Sequence, residues 1–101
     1  MPAGFETKLR VNSIPVELNE YAHMYITRIV LCAVSMLKGG EDVRTLVFAL
    51  EGDKPSLTVN EKDVPLIAFP KEALAGTFRG MVSSLRGIRE VDSLNIEIKQ
   101  V

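Results

Sequence analysis

The chain has 101 residues, a length that suits one domain (1–101) with its own core and not two independent ones. It is 47% hydrophobic and 25% charged, too apolar for a disordered segment. Twelve basic and thirteen acidic side chains leave a formal charge of −1, so no global field draws it to nucleic acid or to an anionic membrane surface.

The first residues, Met1-Pro2-Ala3-Gly4, carry neither the basic nor the apolar region of a signal peptide. A strand is expected next. Phe5, Thr7, Leu9 and Val11 alternate with Glu6, Lys8 and Arg10. Asn12 suits the turn that follows, because Asn tolerates left-handed backbone. A short extended piece, 16–18, then leads to a helix over about 20–38 with Asn19 as its N-cap. Gly39, one residue after Lys38, has the character of a helix C-terminus. The apolar run Met24–Leu37 inside this helix is shorter than the ~18–20 residues of a membrane span, and Arg28 interrupts it. A second strand follows, with Leu46, Phe48 and Leu50 alternating, and Gly52-Asp53-Lys54-Pro55 forms a turn.

The same order then recurs. Shifting the chain by 48 positions lays 9–50 over 57–98 without a gap, and eleven of the 42 pairs are identical. The identities include Asn12/Asn60 and Gly39/Gly87, at the turn and cap positions. An internal repeat of one βαβ-like unit is therefore expected. Its second copy has a strand at Leu57 and Val59, an extended piece at 64–67, a helix over about 70–86 with Pro70 in its first turn, and a strand carrying Leu94, Ile96 and Ile98. The expected class is α+β: a tandem pseudo-symmetric βαβ repeat forming a ferredoxin-like βαββαβ sandwich. The alternative treats the short pieces as strands. It gives two ββαβ units, one larger sheet and two helices on one face.

Function is expected where the halves differ. On the first helix, at about 100° per residue, Tyr21, Tyr25, Ile29, Cys32 and Met36 fall on one side, flanked by Ala22, Ile26, Val30, Ala33 and Leu37, and this arc is expected to face the core. Met24, Leu31 and Val34 then lie outward among polar residues and are the expected partner surface, with a second copy as the simplest partner. The strand Thr45–Leu50 is expected at a sheet edge, where Thr45, Val47 and Ala49 give it a nearly uncharged outer side open to pairing. On the second helix Leu74, Phe78, Met81, Val82 and Leu85 form the core stripe. Gly76, Gly80, Ser83 and Ser84 form a small-residue face, expected to pack closely on the first helix. Arg79, Ser83 and Arg86 share a flank. The segment 71–89 holds four basic residues against one acid, a net +3, and is the candidate anion site.

Catalytic signatures are lacking. Glu20 and His23 have the spacing of a di-metal carboxylate motif, but the position 48 residues on from His23 is Lys71, and there is no second histidine. No nucleophile elbow occurs, and Gly39-Gly40 follows a helix where a phosphate loop precedes one. The open sheet face would show Glu6, Lys8, Arg10, Thr58, Asn60, Asn95, Glu97 and Lys99, without the aromatics on which RNA-recognition sheets stack bases. One cysteine, Cys32, suits a reducing compartment. The expected function is a non-enzymatic interaction or assembly module, homodimeric and cytoplasmic, without cofactor or metal and without nucleic-acid or membrane partners. The alternatives are an anionic-ligand sensor using Arg79 and Arg86, and an enzyme without a recognisable motif.

Overall fold

Strict alternation of apolar and polar side chains makes strands with one face for the core and one for water. Two breaks in that alternation, at Asn12-Ser13 and Asn60-Glu61, turn the chain back on itself. The computed structural model describes residues 4–101; the expectation placed on Met1, Pro2 and Ala3 falls outside them. Eight elements follow in order: β1 (Phe5–Val11), β2 (Ile14–Val16), α1 (Glu20–Ser35), β3 (Thr45–Glu51), β4 (Lys54–Val59), β5 (Lys62–Asp63), α2 (Ala68–Ser83) and β6 (Ser93–Gln100). The second four begin or end 48 residues after the first four. The two helices do so at both ends.

The strands form one antiparallel sheet in the order β2-β1-β6-β3-β4-β5. Leu9, Ile96, Phe48 and Leu57 stand in register across its four long strands, all buried. Both helices cover this face. Ile26, Val30 and Val34 of α1 and Leu74, Phe78 and Val82 of α2 bury onto it at positions 48 apart. Phe78 meets Phe48 edge to face, with ring centroids 4.8 Å apart. The α+β class stands, with a six-stranded sheet and two helices.

The ferredoxin-like arrangement requires correction. That fold places the opening strand of each βαβ half in the sheet centre. Here the closing strands β3 and β6 are central and the opening strands β1 and β4 flank them. The short strands add a further layer outside each flank. They pair at Ile14–Val16 and Lys62–Asp63, slightly earlier than the pieces expected at 16–18 and 64–67. The reason is the tight turns. Asn12 and Ser13 take φ of 52° and 67°, and Asn60 and Glu61 take the same two values. Two consecutive left-handed residues make the I′-type connection that matches strand twist, so pairing resumes at once. The helices also end one turn earlier than expected, at Ser35 and Ser83. Short turns then carry the chain to Gly39 and Gly87, at φ 92° and 88°. Among the described residues, no helix is long and apolar enough to cross a membrane.

Each half gives its opening strand to the other half's closing strand: β1 pairs with β6, and β4 with β3. Asn side chains lock both crossings. The amides of Asp92 and Ser93 donate to Asn12 Oδ1 at 2.7 and 2.9 Å, and Asn12 Nδ2 donates to the Glu90 carbonyl. The amides of Arg44 and Thr45 donate to Asn60 Oδ1 at 2.7 and 3.1 Å, and Asn60 Nδ2 donates to the Asp42 carbonyl. Asn60 is therefore a clamp at the end of the sheet and not a residue of its open face.

Two backbone positions test this geometry. Left-handed backbone costs an ordinary residue about 1–2 kcal/mol, part of which glycine returns as unfolded-state entropy. Glu61→Gly is expected to raise the urea midpoint at unchanged m-value, a stabilisation of about 0.5 kcal/mol. A Cβ on Gly40 would lie 1.9 Å from the Val34 carbonyl oxygen. Gly40→Ala is expected to lower stability by more than about 2 kcal/mol in the same measurement.

Candidate functional site

The outer surface of the helix layer is built by the phase in which α1 meets the sheet. β-Branched Ile26, Thr27, Val30 and Val34 turn inward, and the bulkier residues turn out. Tyr21 and Met36 are 66% and 77% exposed, Tyr25 is exposed between them, and Cys32 lies on the same side. The helix is rotated from the expected orientation: of the expected arc, the flanking Ile26 and Val30 are buried, but its centre is not. That centre, Tyr21, Tyr25, Cys32 and Met36, lies on the outer side, with Ile29 half-buried. Of the expected outward stripe, Val34 is completely buried, and Met24 and Leu31 are half-buried. α1 is apolar around most of its circumference, so apolar spacing alone does not select the inner side. The repeat does select it. The plainly amphipathic α2 buries Leu74, Phe78 and Val82, and subtracting 48 gives Ile26, Val30 and Val34.

α1 and α2 run antiparallel, and two apolar grooves lie between them. One, of about 310 Å³, is walled by Tyr21, Tyr25 and Ile26 at the start of α1 and by Met81 and Leu85 at the end of α2, with Arg86 at its rim. The other, of about 280 Å³, is walled by Met36 and Leu37 at the end of α1 and by Phe69, Pro70 and Leu74 at the start of α2. Phe69 is 79% exposed and Ile67 is 72% exposed. The Tyr21 and Tyr25 rings sit 6.0 Å apart. Apolar and aromatic side chains thus line the layer at both ends of α1.

The outer side of α2 is of another kind. Gly76 and Gly80 are exposed, and a Cβ on either would meet nothing within 4 Å. They do not pack on α1, contrary to expectation. Each costs the helix about 1 kcal/mol relative to alanine. Their counterparts 48 residues earlier are Arg28 and Cys32, so the fold itself does not require glycine there.

The remaining candidates are dispersed. β3 is an inner strand paired on both sides, so the edge expected at Thr45–Leu50 does not exist. Strand order is set by non-local pairing, which local pattern does not carry. Thr45, Val47 and Ala49 lie instead in the middle of the open sheet face, among Glu6, Lys8, Arg10, Asn95, Glu97 and Lys99. Arg79 reaches the β3–β4 turn. Its guanidinium donates to the Gly52 carbonyl and lies 3.9 Å from the Asp53 carboxylate. The Ser83 hydroxyl donates to the Arg79 carbonyl at 2.7 Å. Arg86 lines the first groove, in which neither Arg79 nor Ser83 takes part. Among the described residues, no three His, Cys, Asp or Glu side chains gather as a metal site.

Where β1 and β4 run past the short edge strands, two devices act at equivalent positions. Beyond the end of β2, the Thr7 amide points at α1 and donates to His23 Nε2 at 3.1 Å. The Thr7 and Thr27 hydroxyls meet at 2.5 Å, and Thr27 Oγ1 donates to the His23 carbonyl at 2.6 Å. In the other half the counterparts are Pro55, Lys71 and Ala75. Proline has no amide to cap and suits an edge strand. His23 is thus a cap on β1, and Glu20 lies in the first turn of α1.

No family model matches this chain, no curated protein resembles it in sequence, and no solved structure matches its fold.

Thr27→Val leaves the buried Thr7 hydroxyl without its partner and is expected to cost about 1–2 kcal/mol. Combining it with Thr7→Val removes both polar groups, and the double variant is expected to unfold at a higher urea concentration than Thr27→Val alone. Strict additivity of the two losses would mean that the hydroxyls do not interact.

Proposed function

We propose that this chain is a non-enzymatic interaction module that self-associates through the outer surface of its helix layer. The exposed apolar run of Tyr21, Tyr25, Met36 and Phe69 carries the reading. Scattered exposed apolar residues need no explanation, but aromatics and methionine gathered on one side of one helix layer have the composition of an interface centre. The sheet edges support it from the opposite direction. With the Thr7 amide capped and Pro55 offering none, the stretches of β1 and β4 beyond the short strands are poorly suited to strand addition. An anion-sensing role is the weaker reading, because Arg79 is already engaged by Gly52 and Asp53. The 48-residue recurrence of sequence and elements supports an origin by internal duplication. The single exposed thiol, Cys32, supports a reducing, cytoplasmic setting.

Sedimentation equilibrium and native mass spectrometry of the purified chain are expected to give a dimer without added mass. The double variant Tyr21→Glu/Met36→Glu alters only exposed positions and is expected to keep its circular dichroism spectrum and sediment as a monomer. A wild-type monomer, or a variant with undiminished dimer mass, overturns the reading.

A further inference from the structure

Two helix layers can stack about a two-fold axis in two simple ways, and the surface distinguishes them. An axis perpendicular to the helices sets α1 on α1 of the second copy. With the axis at the middle of α1, Tyr21 falls opposite the partner's Met36, and Arg28, the one charge inside that ridge, approaches another Arg28. An axis parallel to the helices sets α1 on α2 of the second copy instead. The ridge then meets Gly76 and Gly80, whose surroundings are open in the monomer. Such an axis introduces no shift along the helices, so the register between copies equals the register within one copy. Within one copy, Tyr21 and Tyr25 stand beside Met81, Ser84 and Leu85, and Met36 beside Phe69 and Ala73.

Resting on the self-association argued above, we propose that the dimer uses the parallel axis, with the α1 ridge of each copy seated on the glycine shelf of the partner's α2. Tyr25 lies over the partner's Gly80, and Met36 lies against the partner's Phe69. Shape and charge agree on this choice. The bulky side of one helix meets the flat side of another, where missing side chains let the rings approach the backbone. Arg28, without a salt bridge among the described residues, comes within reach of the partner's Glu72, the single acid on α2. Glu20 at the start of α1 likewise faces the partner's Arg86. The two-fold repeats each contact, so the interface is isologous.

The test reads the dimer dissociation constant by sedimentation equilibrium. Gly80→Leu has room in the monomer and fills the shelf; it is expected to keep the circular dichroism spectrum and weaken the dimer about tenfold or more. Arg28→Glu and Glu72→Arg are each expected to weaken it, and the double variant to recover most of the loss. A dimer indifferent to Gly80→Leu, or a charge swap that recovers nothing, overturns this geometry while leaving self-association intact. A wild-type chain that is monomeric throughout overturns both.

Discussion

Two asparagines hold the halves of this molecule to each other. Asn12 belongs to the first half, yet it clamps the backbone leading into β6. Asn60 belongs to the second half and clamps the backbone leading into β3. The clamps sit where the opening strand of one half meets the closing strand of the other. Neither half therefore owns a complete sheet: separated, each would expose a closing strand with both edges unpaired. Two units of similar sequence thus share one sheet. The central strands are the ones contributed last by each half, and most of the sheet's pairing joins residues distant in sequence.

Around that shared frame the two halves handle the same physical problem differently. Each opening strand runs beyond the short strand that covers it and would leave an amide exposed at equivalent positions. The first half supplies an acceptor from α1, His23, and fills the space beneath with the Thr7–Thr27 hydroxyl pair. The second half removes the donor with Pro55 and places Ala75 where Thr27 stands. Both satisfy the rule that a buried amide needs a partner, one by adding the partner and one by deleting the amide. The Glu20-x-x-His23 spacing, which has the form of a metal motif, has in this chain a histidine committed to the backbone.

Which parts of this were readable beforehand follows from where the information resides. Strand faces are written locally, because period-two alternation in β1, β3 and β6 leaves one choice of inward side. The turns are also local: Asn12 and Asn60 announce left-handed backbone. The inward side of α1 is not local, since Tyr, Met, Cys, Ile and Val surround the helix and hydrophobicity weighs them alike. Packing between helix and sheet favoured Ile26, Val30 and Val34 over the larger Tyr and Met side chains. The information was nonetheless present at a distance, in the amphipathic α2. Strand order was absent even there, because the repeat defines what each half contains and leaves open which strands cross between halves.

The recurrence also supplies an internal control for surface features. Where both halves share a residue, as at Asn12/Asn60, Val34/Val82 or Gly39/Gly87, the fold accounts for it. Where they differ on the outside of the helices, the fold tolerates either choice, and the reason for the difference lies elsewhere. Arg28 and Cys32 occupy α1 at the positions that Gly76 and Gly80 occupy in α2, on the same scaffold and with no neighbour to relieve. An exposed helix interior that twice forgoes a side chain gives up stability that alanine would restore. A surface with one raised and one flat helix has a further property: each copy carries both partners of a complementary contact. In the dimer proposed above, two-fold association satisfies ridge and shelf at once, a solution that two identical helices would not offer.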